Sequence, residues 1–296
     1  MFRSTLLSLM LLASADALAV DILVDYTAGI QKQRAEREAG LRKPGGWLSL
    51  IGLDWLSEGS NSIGSAKGND IVLLKGPPKL GVITLKDGKV SISINAESGA
   101  TVDGKTVSES ALASDATDTP SIVAAGPVSF FVIQRNDKIG LRIKDADAQA
   151  LKHFLGIDFF EIDPSWRVEA RWVAFDQPQL LEIPDVVGTI YTSQVPGKAV
   201  FERGGKTYEL LPMNEETKDG LFFVFADKTS GKITYGGGRF LDTDAPKNGK
   251  LILDFNLAYD PPCAFTPYAT CPLAPPENRL KVAVEAGEKK YRGSAH

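Results

Sequence analysis

The chain has 296 residues, of which 43% are hydrophobic and 24% are charged, and its net charge is −4. These fractions are those of a folded globular protein, and the two signs of charge are interspersed along the chain without a cationic stripe. Because binding of a phosphate backbone needs concentrated positive charge, nucleic acid is excluded as an expected partner.

The first nineteen residues have the pattern of a secretory signal peptide. Arg3 precedes an apolar run, and the small residues Ala17 and Ala19 fit the cleavage rule. The run is shorter than the roughly 20 residues that a membrane-spanning helix needs, and no later stretch is suitable. We therefore predict cleavage near Val20 and a periplasmic or secreted protein without a membrane span; a buried N-terminal helix is the alternative.

Residues 20–46 are predicted to form an N-terminal helix and a linker. Helix-forming residues fill Gln31–Leu41, and the Lys-Pro-Gly-Gly run that follows ends the helix. Farther along, Asp87-Gly88 and Asp103-Gly104 are flanked by alternating apolar residues, which predicts hairpin turns. The sequence therefore indicates a mainly all-β protein whose residues 47–125 form a small antiparallel sandwich.

The segment from Glu58 to Val107 resembles a forkhead-associated (FHA) sandwich. Ile63-Gly64 and Asn69-Asp70-Ile71 match the turn and strand motifs of that family. However, Ser65 stands where the family has its phosphate-binding arginine, and Lys79-Leu80-Gly81 stands where the family has Ser-Arg. Since a bidentate guanidinium is what holds a phosphate dianion, the resemblance implies the fold and not phosphopeptide binding.

Short apolar runs separated by Gly, Asp and Asn continue after residue 125 and predict a second antiparallel β domain over residues 126–296. Its proline-rich loop, residues 259–280, holds both cysteines, Cys263 and Cys271. We predict a disulfide between them, which would stabilise the fold by roughly 2.5 kcal/mol in the loop-entropy model. Free thiols or a metal site are the alternatives; zinc would need two further ligands in a chain with two histidines, so no metal or cofactor is predicted.

Residues from about 126 to 291 are similar to the DUF1684 family, a bacterial and archaeal group of uncharacterised function. The resemblance rests on GLRIKDADA, GIDFFEIDPSWRVEARW, YGGGRFL, LDFNLAYDPPCAFTPYATCPLAPPENRL and AGEKKY. It implies a shared, largely polar pattern without implying any chemistry. The residues of that pattern are Arg142, Asp145, Gly156, Arg167, Arg239, Asp254, Asn256, Tyr259, Cys263, Tyr268, Cys271, Glu277, Asn278 and Glu288.

Polar residues in and beside the proline-rich loop predict a ligand site. Asp254 and Asn256 are two residues apart in LILDFNLAY, so a strand there would present both on one face. We predict that a small polar or glycan-like ligand binds at the stapled loop. The predicted ligand-binding residues are Arg239, Asp254, Asn256, Tyr259, Tyr268, Glu277 and Asn278.

Three alternatives to ligand binding remain open. A carboxylate-based hydrolase would use Asp254 with Glu277 or Glu288 as acid and base. In a purely structural network, Asp254 or Glu277 would pair with Arg239 or Arg167. An envelope protein would instead dock a partner component through its sandwich.

Overall fold

The structure is a computed structural model that describes residues 5–213 and 220–293, with side chains from residue 23 onward. It opens with one helix, α1 (Thr5–Leu41), which ends where the sequence predicted. Pro44 and Gly45, whose φ is 83°, prevent its continuation. The side chains of the predicted signal peptide, residues 1–19, lie outside the described part of the chain, so cleavage near Val20 stays a prediction. Within the described residues, none of the helices has the length and apolar character needed to cross a bilayer.

Ten strands after α1 form a sandwich of two five-stranded sheets. The sheet orders are β1-β10-β9-β8-β6 and β3-β2-β4-β5-β7, and side chains from both sheets share one hydrophobic core. The strands are β1 (Leu50–Trp55), β2 (Gly59–Gly64), β3 (Ile71–Val72), β4 (Gly81–Lys86), β5 (Lys89–Ile94), β6 (Thr101–Val102), β7 (Glu109–Leu112), β8 (Val123–Ala125), β9 (Val128–Arg135) and β10 (Lys138–Asp145).

This N-terminal sandwich, residues 50–145, extends beyond the boundary that we predicted at residue 125. The hairpin of β9 and β10 lies between β8 and β1 in one sheet, so its hydrogen bonds place it in the first unit. The predicted turns are present: Asp87 and Gly88 join β4 to β5 with φ values of 49° and 75°. Positive φ at both central residues is what a tight hairpin turn requires.

The C-terminal domain, residues 149–293, is also mainly β, as predicted. One sheet has the order β13-β12-β11-β16, and β14 pairs with β15. The elements are α2 (Gln149–Lys152), β11 (Arg167–Pro184), β12 (Ile190–Arg203), β13 (Lys206–Leu210), β14 (Leu221–Phe225), β15 (Arg239–Thr243) and β16 (Lys250–Asp254).

Phe255 is the aromatic centre of the C-terminal core. Its side chain has no exposed surface, and its ring lies 5.3 to 5.7 Å from those of Trp166, Phe201 and Phe225. The packing of this one ring fixes the backbone immediately after β16. Polar residues on either side of Phe255 are therefore held in fixed positions at the end of the sheet.

The prediction that Asp254 and Asn256 share a strand face was wrong. β16 ends at Asp254, and Phe255–Leu257 form a short 3-10 helix. The cause is local, because the Asp254 carboxylate accepts a 3.1 Å hydrogen bond from the Asn256 backbone amide and so caps the turn. The two side chains still meet, with Asn256 Nδ2 donating to Asp254 Oδ1 at 3.2 Å.

The proline-rich loop contains two short 3-10 helices, Pro262–Ala264 and Pro276–Asn278, and is fastened at several points. Asn278 is fully buried, and its Nδ2 donates to the Leu211 and Val224 carbonyls at 2.8 and 2.9 Å. The Thr270 hydroxyl accepts hydrogen bonds from Arg135 and Arg142 of the N-terminal sandwich at 2.9 and 3.1 Å. The loop thus links the two parts of the molecule.

Candidate functional site

A cleft of about 200 Å³ lies between one face of α1 and the beginning of the proline-rich loop. It combines cationic, amide, aromatic and carboxyl side chains, which is the mixture that orients a small ligand. The helix contributes Gln33, Arg34 and Arg37. The C-terminal domain contributes Phe159, Asp242, Asn256, Leu257, Ala258, Tyr259 and Glu288.

A single face of α1 makes these contacts. Tyr26, Ile30, Arg34, Arg37 and Leu41 recur at spacings of three or four residues and therefore lie along one side of the helix. Ile30 and Leu41 are buried, and the polar members between them reach the C-terminal domain. Our sequence prediction placed a helix here but assigned it no role in the site. The recurring spacing was the signal that could have revealed it.

Tyr26 holds Asp254 and Asn256. Its hydroxyl lies 2.9 and 3.0 Å from the two Asp254 carboxylate oxygens, and it accepts a 3.0 Å hydrogen bond from Asn256 Nδ2. Burial and the neighbouring carboxylate of Asp254 raise the pKa of Tyr26. Arg167 Nε lies 3.8 Å from Asp254 Oδ2, which is one of the pairings that the structural alternative predicted. The Asp254 carboxylate therefore already interacts with other residues of the protein.

Arg34 and Arg37 occupy adjacent turns of α1 and face the cleft. Arg34 donates to the Phe160 and Asn256 carbonyls at 3.0 and 3.3 Å. Arg37 Nε donates to Glu288 Oε1 at 3.1 Å, and its Nη2 donates to the Asp260 carbonyl at 2.8 Å. The Arg37 guanidinium also lies 5.0 Å above the Tyr259 ring, within the range of a cation–π contact.

Glu288, which lines the cleft, and Asp260 behind it form a buried carboxyl pair, with 1% and 0% of their surfaces exposed. Both Glu288 oxygens accept N–H groups, from Arg37 and from the Asp260 backbone amide at 2.7 Å. The Asp260 oxygens make no close hydrogen bond within the described residues beyond a weak interaction with the Tyr291 amide.

This asymmetry decides where the pair holds its proton. Burial, and then the charge of Glu288, raise the pKa of Asp260 to about 8, against the opposing effects of Arg239 and Arg37. Burial also raises the pKa of Glu288, which Arg37 counteracts. Donors stabilise the ionised form of Glu288, so Asp260 is the member of the pair that keeps its proton to the higher pH. The sequence prediction missed Asp260 entirely.

Tyr259 forms the rim of the cleft opposite α1. Its hydroxyl donates to Asp242 Oδ2 at 2.8 Å, and burial raises its pKa. Backbone hydrogen bonds of 2.8 and 2.9 Å with Phe240 attach the start of the proline-rich loop to β15. Tyr259 is thus fixed at both its backbone and its side chain.

The other predicted ligand-binding residues lie outside the cleft. Arg239 has no exposed surface and pairs with Asp227 at 2.7 Å, and Asn278 fastens the proline-rich loop. Tyr268 lines a separate cavity of about 240 Å³ against the N-terminal sandwich. Glu277 is exposed on the Pro276–Asn278 turn. The structure brings together Asn256, Tyr259 and Glu288, with Asp254 bonded to Asn256.

Cys263 and Cys271 are buried free thiols that lie side by side. Each backbone amide donates to the sulfur of the other cysteine, at 3.2 and 3.3 Å. The hydrogen bond from Cys271 lowers the pKa of Cys263, whereas burial raises the pKa of Cys271. The part of the chain that the structure describes contains no cluster of three or more metal-ligating His, Cys, Asp or Glu side chains.

Residues 152–289 match the family model described as a protein of unknown function (DUF1684). An uncharacterized protein of Haloarcula marismortui, known from a solution NMR structure, is 30% identical over 48% of this chain and 80% of that chain, with a TM-score of 0.40. The chain belongs to the DUF1684 family. A search of curated proteins gave no match.

The DUF1684 segment contains every cleft residue from the C-terminal domain, whereas the α1 residues Gln33, Arg34 and Arg37 precede it. The cleft of this DUF1684 protein is therefore completed by a helix outside the family segment. The segment also begins after the N-terminal sandwich, so the likeness of the sandwich to FHA domains stays a prediction.

Proposed function

We propose that this DUF1684 protein binds a small polar ligand in the cleft between α1 and the proline-rich loop. The observation that carries the proposal is the convergence of Asn256, Tyr259 and Glu288 with two arginines of α1 around one cavity. Its volume of about 200 Å³ is below the roughly 300–1,000 Å³ of pockets for drug-sized molecules. A ligand of monosaccharide size suits this volume.

Binding has more support than carboxylate-based hydrolysis. A glycosidase needs two carboxyl groups on opposite sides of the bond that it cleaves. Of the three predicted carboxylates, only Glu288 lines the cleft. Asp254 is held by Tyr26, and Glu277 is outside. The other carboxyl of the lining, Asp242, is exposed at the rim and accepts a hydrogen bond from the Tyr259 hydroxyl, so neither predicted acid–base pair faces the cleft.

Docking through the N-terminal sandwich also has less support. Val72 and Leu74, at the end of β3, are 45% and 74% exposed. Individually exposed apolar side chains are ordinary on soluble proteins and do not by themselves mark an interface. We therefore retain the cleft as the proposed site.

Filling the cleft is expected to weaken ligand binding strongly without disturbing the fold. Gln33 is exposed on α1 and lines the cleft, so Gln33→Trp places a large ring inside it. Titration calorimetry and saturation-transfer NMR with glucose, N-acetylglucosamine and glucuronate should show binding to the wild type. We expect Gln33→Trp to weaken it at least ~10-fold, which corresponds to about 1.4 kcal/mol.

Ala35→Trp is the matched control, since Ala35 is exposed on α1 and is not among the cleft residues. This variant should bind as the wild type does. Equal weakening by both substitutions would show that the tryptophan acts on α1 in general. Failure of every sugar to bind the wild type in the millimolar range would refute the proposed function.

We further propose that the protein is exported, cleaved near Val20 and oxidised at Cys263 and Cys271. The signal-peptide pattern supports export. The side-by-side sulfurs support pairing, because an oxidising compartment favours disulfides between neighbouring thiols. A disulfide would then close the segment of the proline-rich loop that contacts the N-terminal sandwich.

One mass measurement tests cleavage and pairing together. Protein taken from the native compartment without reductant should begin near Val20 and should be two hydrogens lighter than the dithiol form. Alkylation of the unfolded protein should label both cysteines only after reduction. In the Cys271→Ser variant, Cys263 should be labelled without prior reduction. The mass of a chain that begins at Met1 would contradict cleavage and export. Labelling of both thiols without reductant would contradict the disulfide.

A further inference from the structure

Arg34 is a partly buried guanidinium that forms no ion pair with any residue whose side chain the structure describes, residues 23–213 and 220–293. Its Nη groups donate to the Phe160 and Asn256 carbonyls, and its Nε has no acceptor. The guanidinium lies 4.4 Å above the Phe159 ring. Burial lowers the pKa of Arg34, and the electrostatic effects of Tyr26, Glu288 and Asp254 oppose that lowering. A cation in this position lacks a direct counter-charge.

Arg37, three residues later, provides the contrast. It lines the same cleft but has a direct partner, since its Nε lies 3.1 Å from Glu288 Oε1. Only 24% of the Arg37 side chain and 1% of the Glu288 side chain are exposed. The protein therefore neutralises one of its two cleft arginines with its own carboxylate and leaves the other for a different partner.

The charged side chains around the cleft also leave one positive charge uncompensated. With Asp260 protonated, the inner walls carry two guanidinium groups, on Arg34 and Arg37, against the single carboxylate of Glu288. Asp242 is the remaining acid of the lining, but it is exposed at the rim, where water screens its charge. Asp254 lies outside the lining and has Arg167 3.8 Å away, so the interior of the cleft has an excess of about one positive charge.

We infer that the ligand of this cleft carries one carboxylate group and that Arg34 binds it. The inference rests on the proposed function, because it names the chemistry of the ligand at the same site. A guanidinium withdrawn from water binds a carboxylate through short charge-assisted hydrogen bonds in a planar geometry. Binding would supply the counter-charge that Arg34 lacks.

The charge and size of the cleft narrow the ligand class. One negative charge balances the excess, whereas a phosphate dianion would leave an uncompensated charge in a partly desolvated site. The Gln33 amide is exposed at the cleft wall and can bond to hydroxyl groups of the ligand. A sugar acid, such as a uronic acid, combines one carboxylate with hydroxyl groups at monosaccharide size.

Glucuronate and glucose are the probes, because they have the same sugar ring. Glucuronate has a carboxylate where glucose has a hydroxymethyl group. Calorimetry on the full chain should show glucuronate binding at least ~10-fold tighter than glucose. Arg34→Gln should reduce this preference to nearly one, and Arg34→Lys, which retains the charge, should retain part of it. Lys32→Gln removes the same charge from an exposed position of α1 and should leave the preference unchanged. Thermal unfolding of each variant checks that α1 remains docked.

The possible outcomes separate this inference from the proposed function. Equal binding of the two sugars, with loss of both in Gln33→Trp, would overturn the carboxylate inference and leave the proposed function intact. A preference for glucuronate that persists in Arg34→Gln would overturn the role of Arg34. If glucuronate, glucose and N-acetylglucosamine all fail to bind the wild type, both proposals fall. Binding of glucuronate with loss of preference only in Arg34→Gln would support both.

Discussion

Replacing Arg239 by glutamine is expected to lower the free energy of unfolding by roughly 3–5 kcal/mol. Arg239 is fully buried, and its Nη2 donates to Asp227 Oδ2 at 2.7 Å and to the Val284 carbonyl at 2.8 Å. Its Nη1 bonds to the Ala286 carbonyl and lies 3.4 Å from that of Glu288. Glutamine cannot reach all these acceptors, so the substitution leaves the buried Asp227 carboxylate without its cation.

Urea unfolding at neutral pH measures the loss of stability in Arg239→Gln. Arg292→Gln is the control, because Arg292 pairs with Asp158 but has 61% of its side chain exposed; it should cost less than about 1 kcal/mol. The double variant Arg239→Gln/Asp227→Asn should recover part of the stability, since it also removes the orphaned carboxylate. A loss in Arg239→Gln no larger than that in Arg292→Gln would contradict this account.

Loss of Arg239 should also disturb the position of Glu288 in the cleft. Arg239 bonds to the carbonyls of Val284, Ala286 and Glu288, so it fixes the backbone that presents the Glu288 side chain. We predicted Arg239 from the sequence as a ligand-binding residue. Its polar character and its membership of the family pattern were visible, but its complete burial was not. Side-chain burial depends on the folding of distant segments around it, which local patterns do not encode.

Features with local causes were predictable from the sequence. The Asp87-Gly88 turn follows from residues that tolerate positive φ, and the end of α1 at Leu41 follows from the proline and glycines after it. The same local logic explains the wrong prediction at the end of β16. A carboxylate that caps its own turn ended β16 at Asp254, where the alternating apolar pattern suggested that the strand continues.

The cleft was only half predictable, because its two walls are far apart in the sequence. Asn256, Tyr259 and Glu288 belong to recognisable motifs of the C-terminal domain. Tyr26 contacts Asp254, which is 228 residues away in the sequence. The spacing of residues on one helix face does not indicate which surface of the protein that face will contact. The polar members of that face were the available signal, since arginines at helical spacing between buried apolar residues need acceptors on the opposing surface.

Asp260→Asn is expected to make the protein more stable than the wild type at pH 8. Burial and the neighbouring Glu288 raise the pKa of Asp260 to about 8 from its ordinary value of 3.8, while Arg239 and Arg37 act in the opposite direction. Because the native state holds this proton more tightly than the unfolded chain does, the stabilisation is complete below pH 3.8 and is lost as the pH rises toward 8. Over that interval the loss is on the order of 5 kcal/mol.

Asparagine has the shape of the protonated acid and cannot ionise, so the variant should lose this part of the pH dependence. Unfolding free energies measured between about pH 4 and pH 8 should converge for the two proteins at the acidic end and separate at the alkaline end. Asp176→Asn, an exposed position on β11, should follow the wild-type curve throughout. Parallel curves for wild type and Asp260→Asn would mean that Asp260 carries no proton at neutral pH. The buried pair behind Arg37 would then carry two negative charges, which would cancel the excess positive charge counted around the cleft.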